Sequence, residues 1–171
     1  MAELTPQERL QPSLLDRLVD DEPDKKLESR ERRILSLKKL RECVMRDLAW
    51  LLNSGNLGET EDLTDYPEVM RSVLNFGMPD LTGRTASGID TGEIERILRQ
   101  AIWDFEPRIL RNTVKVKVVG GKDEMGHNAL GFDIEGELWA QPVPLRLFLR
   151  TELDLETGDV TVADGTGQVA R

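Results

Sequence analysis

The sequence predicts an α+β fold: helices at about 37–53, 67–74 and 91–105 packed on a C-terminal, mainly antiparallel sheet at about 112–163. Three observations lead there. Ile94, Ile97, Leu98, Ala101, Ile102 and Phe105 recur at helical spacing across Thr91–Phe105. Thr113–Val118 alternates apolar and basic residues, the period of a half-buried strand. Helical patterns come first and strand patterns follow, the order of an α+β domain rather than a doubly wound sheet. Between the two regimes stands Glu106-Pro107-Arg108. Its proline pushes Glu106 out of the α region, ends the helix and holds an acid and a base on a stiff corner.

Residues 1–28 read as a flexible N-terminal segment, residues 29–165 as one α+β domain and residues 166–171 as a tail. Within the first segment, Ser13 stands at a cap position before Leu14, Leu15 and Leu18. A helix this short is marginal in water, so the leucines need a surface, either their own domain or a partner's groove. Asp20–Lys26 has the composition of a linker. Residues 25–46 carry nine Lys or Arg against three Glu, opposing the overall charge. Ser36 is a candidate N-cap for the first long helix, whose core stripe is Leu37, Leu40, Val44, Leu48 and Leu51. Lys38, Lys39, Arg41, Arg46 and Asp47 fall largely off that stripe, as a solvated face or a face toward an acidic partner.

Asn53–Asn56 supplies turn-formers. Pro67 belongs in the first turn of a short helix, and Asn75–Gly83 reads as a tight loop pinned by Phe76 and Leu81. In the β half, Phe132, Ile134, Leu138 and Ala140 share one parity, interrupted by Gly136. Leu145, Leu147, Leu149, Leu153 and Leu155 share another, with Arg146, Arg150, Glu152 and Asp154 opposite. Gly120-Gly121 and Thr157-Gly158-Asp159 are hairpin signals.

Composition narrows the function. A chain of 171 residues can bury roughly 70% of its unfolded surface without staples. The net charge of −9 argues against nucleic acid as a partner. One cysteine, Cys43, excludes a disulfide framework and fits a reducing compartment. No apolar run reaches spanning length, and Met1–Arg9 lacks the pattern of a signal peptide, so a cytoplasmic protein without membrane insertion is expected. His127, the single histidine, sits in a Gly-rich turn far from Cys43, which supports neither a metal site nor a triad. Glu93, Asp104, Glu106 and Glu124 are nominal carboxylates for glycoside hydrolysis, but solvated acids are abundant here. No catalytic, metal or cofactor residue is assigned.

Four strings carry more than periodicity. They are Ser13–Leu18, Arg41–Asn53, Tyr66–Gly83 and Ala101–Leu110. In that order they resemble the TssE family, the small baseplate subunits of bacterial type VI secretion, within the phage baseplate wedge family once labelled lysozyme-related. The resemblance covers most of residues 12–163. It implies a structural, non-enzymatic subunit beside TssF, TssG and TssK that templates polymerisation of the TssB/TssC sheath. It also implies assembly at the cytoplasmic side of the inner membrane, in several copies around a six-fold baseplate. A monomer is expected for the free protein, since no self-association seam is evident. By the same resemblance Glu106, Pro107 and Arg108 engage the helical core bundle of the wedge. Leu14, Leu15 and Leu18 are the second expected partner contact.

Two points stay open at the level of sequence. Glu106 and Arg108 either pair with each other or make charge-assisted contacts across an interface; the resemblance favours the interface. The 144–163 hairpin is the expected free edge for an incoming sheath strand, with its charged alternation blunting aggregation. The alternative function is a soluble, anti-adapter-like binding regulator on the same fold; a carbohydrate hydrolase ranks third.

Overall fold

The computed structural model describes residues 13–18, 23–24, 37–81, 90–119, 129–140 and 144–165. Ser36, the Gly120-Gly121 turn, Glu124, His127, the tail 166–171 and most of the 20–26 linker lie outside the described residues. Four helices, α1 (Leu14–Leu18), α2 (Leu37–Leu52), α3 (Pro67–Met70) and α4 (Thr91–Phe105), precede four strands, β1 (Lys115–Val118), β2 (Ala129–Leu138), β3 (Leu145–Asp154) and β4 (Val160–Asp164). This is the α+β arrangement that the order of patterns predicts.

The sheet is an antiparallel meander in the order β1-β2-β3-β4. Its register sets Val116 opposite Ile134, Ile134 opposite Leu149, and Leu153 opposite Val160. The two predicted parities therefore meet on one face. Phe132, Ile134, Leu138, Leu147, Leu149 and Leu153 are buried there, against Val44, Leu48, Leu51, Leu98 and Ile102 of the helices. Thr151 shares this parity and is also buried, its hydroxyl donating to the Phe132 carbonyl at 3.1 Å. Burying it is tolerable because the hydrogen bond replaces water. The turn between β3 and β4 places Gly158 at φ 80°, a conformation that favours glycine.

Three boundaries differ from the sequence reading, each for a local reason. The buried stripe of α2 begins at Leu40; Leu37 opens the helix one turn earlier and is 45% exposed. The expected 67–74 helix divides into α3 and a 3-10 turn at Val73–Asn75. Ser72 breaks it: its backbone is extended, its Oγ accepts from Leu74 N at 3.2 Å and donates to the Val69 carbonyl at 2.9 Å. A side chain thus supplies the bonds a continuing helix would have made. The sheet expected from about 112 starts at Lys115, because Arg111–Thr113 forms a 3-10 turn. Gly136, the gap in the β2 parity, lies under this crossover: a Cβ there would stand 2.9 Å from the Ile109 side chain.

Candidate functional site at the helix-to-strand corner

Helix α4 starts where Asp90 accepts from the backbone N–H groups of Gly92 and Glu93 and ends at Glu106, whose extended φ of −121° and ψ of 77° fit a residue before proline. The chain then joins the sheet at once. Trp139 N donates to the Arg108 carbonyl at 2.8 Å, Leu110 N donates to the Glu137 carbonyl at 2.9 Å, and Ile109 bridges Leu138. The corner is therefore built into the far end of β2. Thr113 locks the crossover, donating to the Leu110 carbonyl at 2.7 Å and accepting from Glu137 N at 2.9 Å.

Glu106 and Arg108 face each other. Glu106 is only 4% exposed. Its Oε1 accepts from Arg108 Nε at 2.7 Å and from Arg108 N at 3.1 Å, and its Oε2 accepts from a terminal guanidinium nitrogen at 2.5 Å. This is a fork-on-fork pair reinforced by a backbone donor. The same guanidinium nitrogen reaches Asp47 Oδ2 on α2 at 2.6 Å. Burial works against the Arg108 charge, yet the hydrogen bonds and charges of Glu106 and Asp47 outweigh it and raise its pKa above the usual guanidinium value. Pro107 is exposed at the apex.

The pairing continues away from the corner. Asp47 Oδ1 accepts two bonds from its neighbour Arg46, at 2.7 and 2.9 Å. Arg46 donates onward to Asp16 Oδ1 of α1 at 2.7 Å, and the Ser13 hydroxyl donates to Asp16 Oδ2 at 2.6 Å. An alternating ladder thus runs Glu106–Arg108–Asp47–Arg46–Asp16–Ser13. Burial alone would raise the Asp16 carboxyl; hydrogen bonds from Arg46 and Ser13, the Arg46 charge and the Cys43 thiol hold it at about 2, below its usual 3.8. Cys43 itself is buried, and burial followed by the Asp16 charge pushes its thiol up. The Arg46 guanidinium also lies 5.2 Å over the Trp50 ring, a cation–π contact.

The leucines of α1 point the other way. Leu14 and Leu18 are each 74% exposed and Leu15 is 39% exposed. Helix α1 rests on its own domain through a carboxylate while presenting its apolar side chains outward. The predicted site residues therefore fall on two surfaces, Glu106-Pro107-Arg108 at one end of the ladder and Leu14, Leu15 and Leu18 at the other. Asp47, Arg46 and Asp16 join them; the sequence reading places Arg46 and Asp47 only on a solvated or partner-facing side of α2 and does not pick out Asp16. The local signals were the Ser13-x-x-Asp16 spacing and the Arg46-Asp47 dipeptide, neither of which names a partner. Two further off-stripe cations of α2 pair within the chain, Arg41 with Asp164 at 3.0 Å and Lys38 with Glu42 at 3.9 Å.

Among the described residues, no group of His, Cys, Asp and Glu could hold a metal ion, and no helix is long and apolar enough to cross a membrane.

Helices laid on an antiparallel meander, with a pre-paired charged corner at their junction, define an α+β domain whose candidate site is that corner. The model of the family "baseplate wedge protein gp25" matches residues 38–143, more than half of the chain, and the chain belongs to that family. It is thereby a component of a phage tail-like baseplate, in contact with other baseplate components. The matched stretch runs from α2 through the corner to the end of β2 and beyond. No match was found among the curated proteins or the solved structures compared with the chain.

Proposed function

We propose that this chain is the wedge subunit of a type VI contractile injection machine, joining the TssF/TssG wedge, with TssK, to the TssB/TssC sheath and templating sheath polymerisation. The observation that carries this reading is the Glu106-Pro107-Arg108 corner inside the matched 38–143 stretch. Glu106 is buried, so its role toward a partner is to hold Arg108 in place. The partner meets the exposed Pro107 and the open edge of the Arg108 guanidinium. A guanidinium already held by two carboxylates loses little side-chain freedom on binding, which favours affinity. In this reading residues 29–165 form the wedge body, residues 1–28 dock onto a partner protein through Leu14, Leu15 and Leu18, and the machine assembles at the cytoplasmic side of the inner membrane. The role is structural rather than catalytic.

Co-purification with TssF and TssG, with and without residues 1–28, tests the reading. Recovery of a complex that weakens without those residues supports it. Recovery of a response-regulator adapter instead would turn the assignment to a regulator. Cross-linking that never places 144–163 beside sheath protein would remove the template role. Release of peptidoglycan fragments by the purified protein would overturn the non-catalytic role.

A further inference from the structure

The loop that follows α2 has inverted polarity. Neither α3 nor the Val73–Asn75 turn buries any residue. Their polar side chains make the internal ties: beyond the Ser72 bonds, Asn75 donates to the Met70 carbonyl at 2.9 Å and accepts from Gly58 N at 2.8 Å. Their apolar side chains point out, with Tyr66 61%, Met70 48%, Val73 81% and Leu74 68% exposed. Tyr66 and Met70 are four residues apart on one helical face.

This outward face is presented rigidly. Met78 N donates to the Ser54 carbonyl at 2.7 Å, and Asn56 N donates to the Met78 carbonyl at 3.0 Å, fastening the loop to the end of α2. Gly77 makes that approach possible: its φ is +128°, and a Cβ there would stand 2.3 Å from the Ser54 carbonyl oxygen. At the near end Phe76 packs edge-on against Phe105, ring centroids 5.3 Å apart, one residue before Glu106. The apolar face therefore runs up to the corner. Turns of three or four residues do not hold themselves in water. A fold that spends hydrogen bonds to keep apolar side chains outward has a surface awaiting cover.

Charge identifies the cover. Residues 53–81 contain six acids and one base, Arg71. Glu61, Asp62, Asp65 and Glu68 are exposed beside the apolar side chains. We propose that Tyr66, Met70, Val73 and Leu74 form a docking surface for a basic amphipathic helix of another baseplate protein. The apolar stripe of that helix lies on these four side chains, and its flanking Lys and Arg lie over the four acids. The source of the helix rests on membership of the baseplate family; its chemistry rests on the patch alone.

The test uses the full chain and a labelled peptide of about five helical turns, with a leucine stripe flanked by lysines. Binding is expected to weaken about tenfold or more in Val73→Ser/Leu74→Ser. It is expected to weaken about fivefold in Asp65→Lys/Glu68→Lys and to fall with added salt. Both pairs are exposed, so an unchanged melting curve checks the fold, and hydrogen exchange should show new protection at 66–76 on peptide binding. Affinity indifferent to both pairs, or protection only elsewhere, overturns the proposal. So does self-association of the wild type that Leu74→Ser abolishes, which makes a second copy the occupant. Cross-links from Lys25 or Lys26 to 66–76 within one chain overturn it too, by making the chain's own basic segment the occupant. Peptide binding that behaves as expected while TssF and TssG fail to co-purify leaves this surface standing and removes only the type VI reading.

Discussion

The Glu106–Arg108 corner and the Ser13–Leu18 turn are held by the same chemistry, a carboxylate against a guanidinium, and are built in opposite ways. At the corner the pair is wrapped in backbone: Arg108 takes part in the β2 pairing, and Ile109 beneath it is 2% exposed. At α1 the described contacts with the domain run through Asp16 to Arg46 and Cys43, while Leu14 and Leu18 stand in solvent. The first pair is part of the core; the second is a tether. What separates them is what surrounds the charges: the Asp16 side chain is only 8% exposed but belongs to a five-residue helix that can lift away and rehydrate it, whereas Glu106 reaches water only if the core opens.

The largest effect tests the corner. Glu106→Gln removes the buried one of the two carboxylates on Arg108, leaving only Asp47, and is expected to lower the unfolding free energy by about 3 kcal/mol or more in urea titration. A loss of about 1–2 kcal/mol or less would place the corner in the same class as the tether. Arg108→Ala follows at about 3 kcal/mol, because it strands the buried Glu106. An internal pair therefore makes the melt of free Arg108→Ala protein sensitive. An unchanged melt with lost wedge binding would show the pair to be dispensable for folding and reserved for the partner.

At the other end, Asp16→Asn is expected to lower stability by about 1–2 kcal/mol, less than either corner variant, while releasing α1, read as faster amide exchange at 14–18. The pH dependence has a definite sign. Asp16 has a folded pKa of about 2 against an ordinary 3.8, so its contribution is present above the ordinary value and is lost as pH falls toward the folded one. Undocking of α1 between about pH 4 and 2 in the wild type, and its absence as a transition in Asp16→Asn, checks this. The smallest effect is Leu14→Ser/Leu18→Ser, expected to leave the melting temperature unchanged. A clear destabilisation would mean that the leucines pack on their own domain.

The sequence reading is most successful where one signal repeats or two agree. Helix α4 has an unbroken stripe and Pro107 to stop it, and the structure gives Thr91–Phe105. The sheet follows because its parities recur over long strands. The 66–76 loop is harder to read, since Ser72 and Asn75 replace backbone bonds with side-chain bonds that leave no periodic trace. The ladder is the least legible part. Arg46 and Asp16 are 30 positions apart and Arg108 and Asp47 are 61 apart, separations over which charge alone names no partner. The choice between an inward and an outward Arg108 depended on the burial of Glu106, which is a property of the assembled core.

Asn53 closes the last turn of α2 and carries a consequence for how the sheet could be extended. Its side-chain amide donates to the Val160 carbonyl and accepts from the Val160 N–H, both at 2.8 Å. Ladder bonds alternate along an antiparallel strand, and those to β3 at Asp159 and Gly165 leave Val160 and Val162 facing away from it. One amide thus occupies the first outward rung of the margin. On the opposite margin Glu95 of α4 accepts from Val118 N at 3.0 Å. Two side chains outside the sheet therefore each hold an outward-facing backbone group of an edge strand, at Val160 on β4 and at Val118 on β1. In the template role proposed above, a strand added along β4 meets its first rung already taken, so its pairing has to begin past the hairpin end.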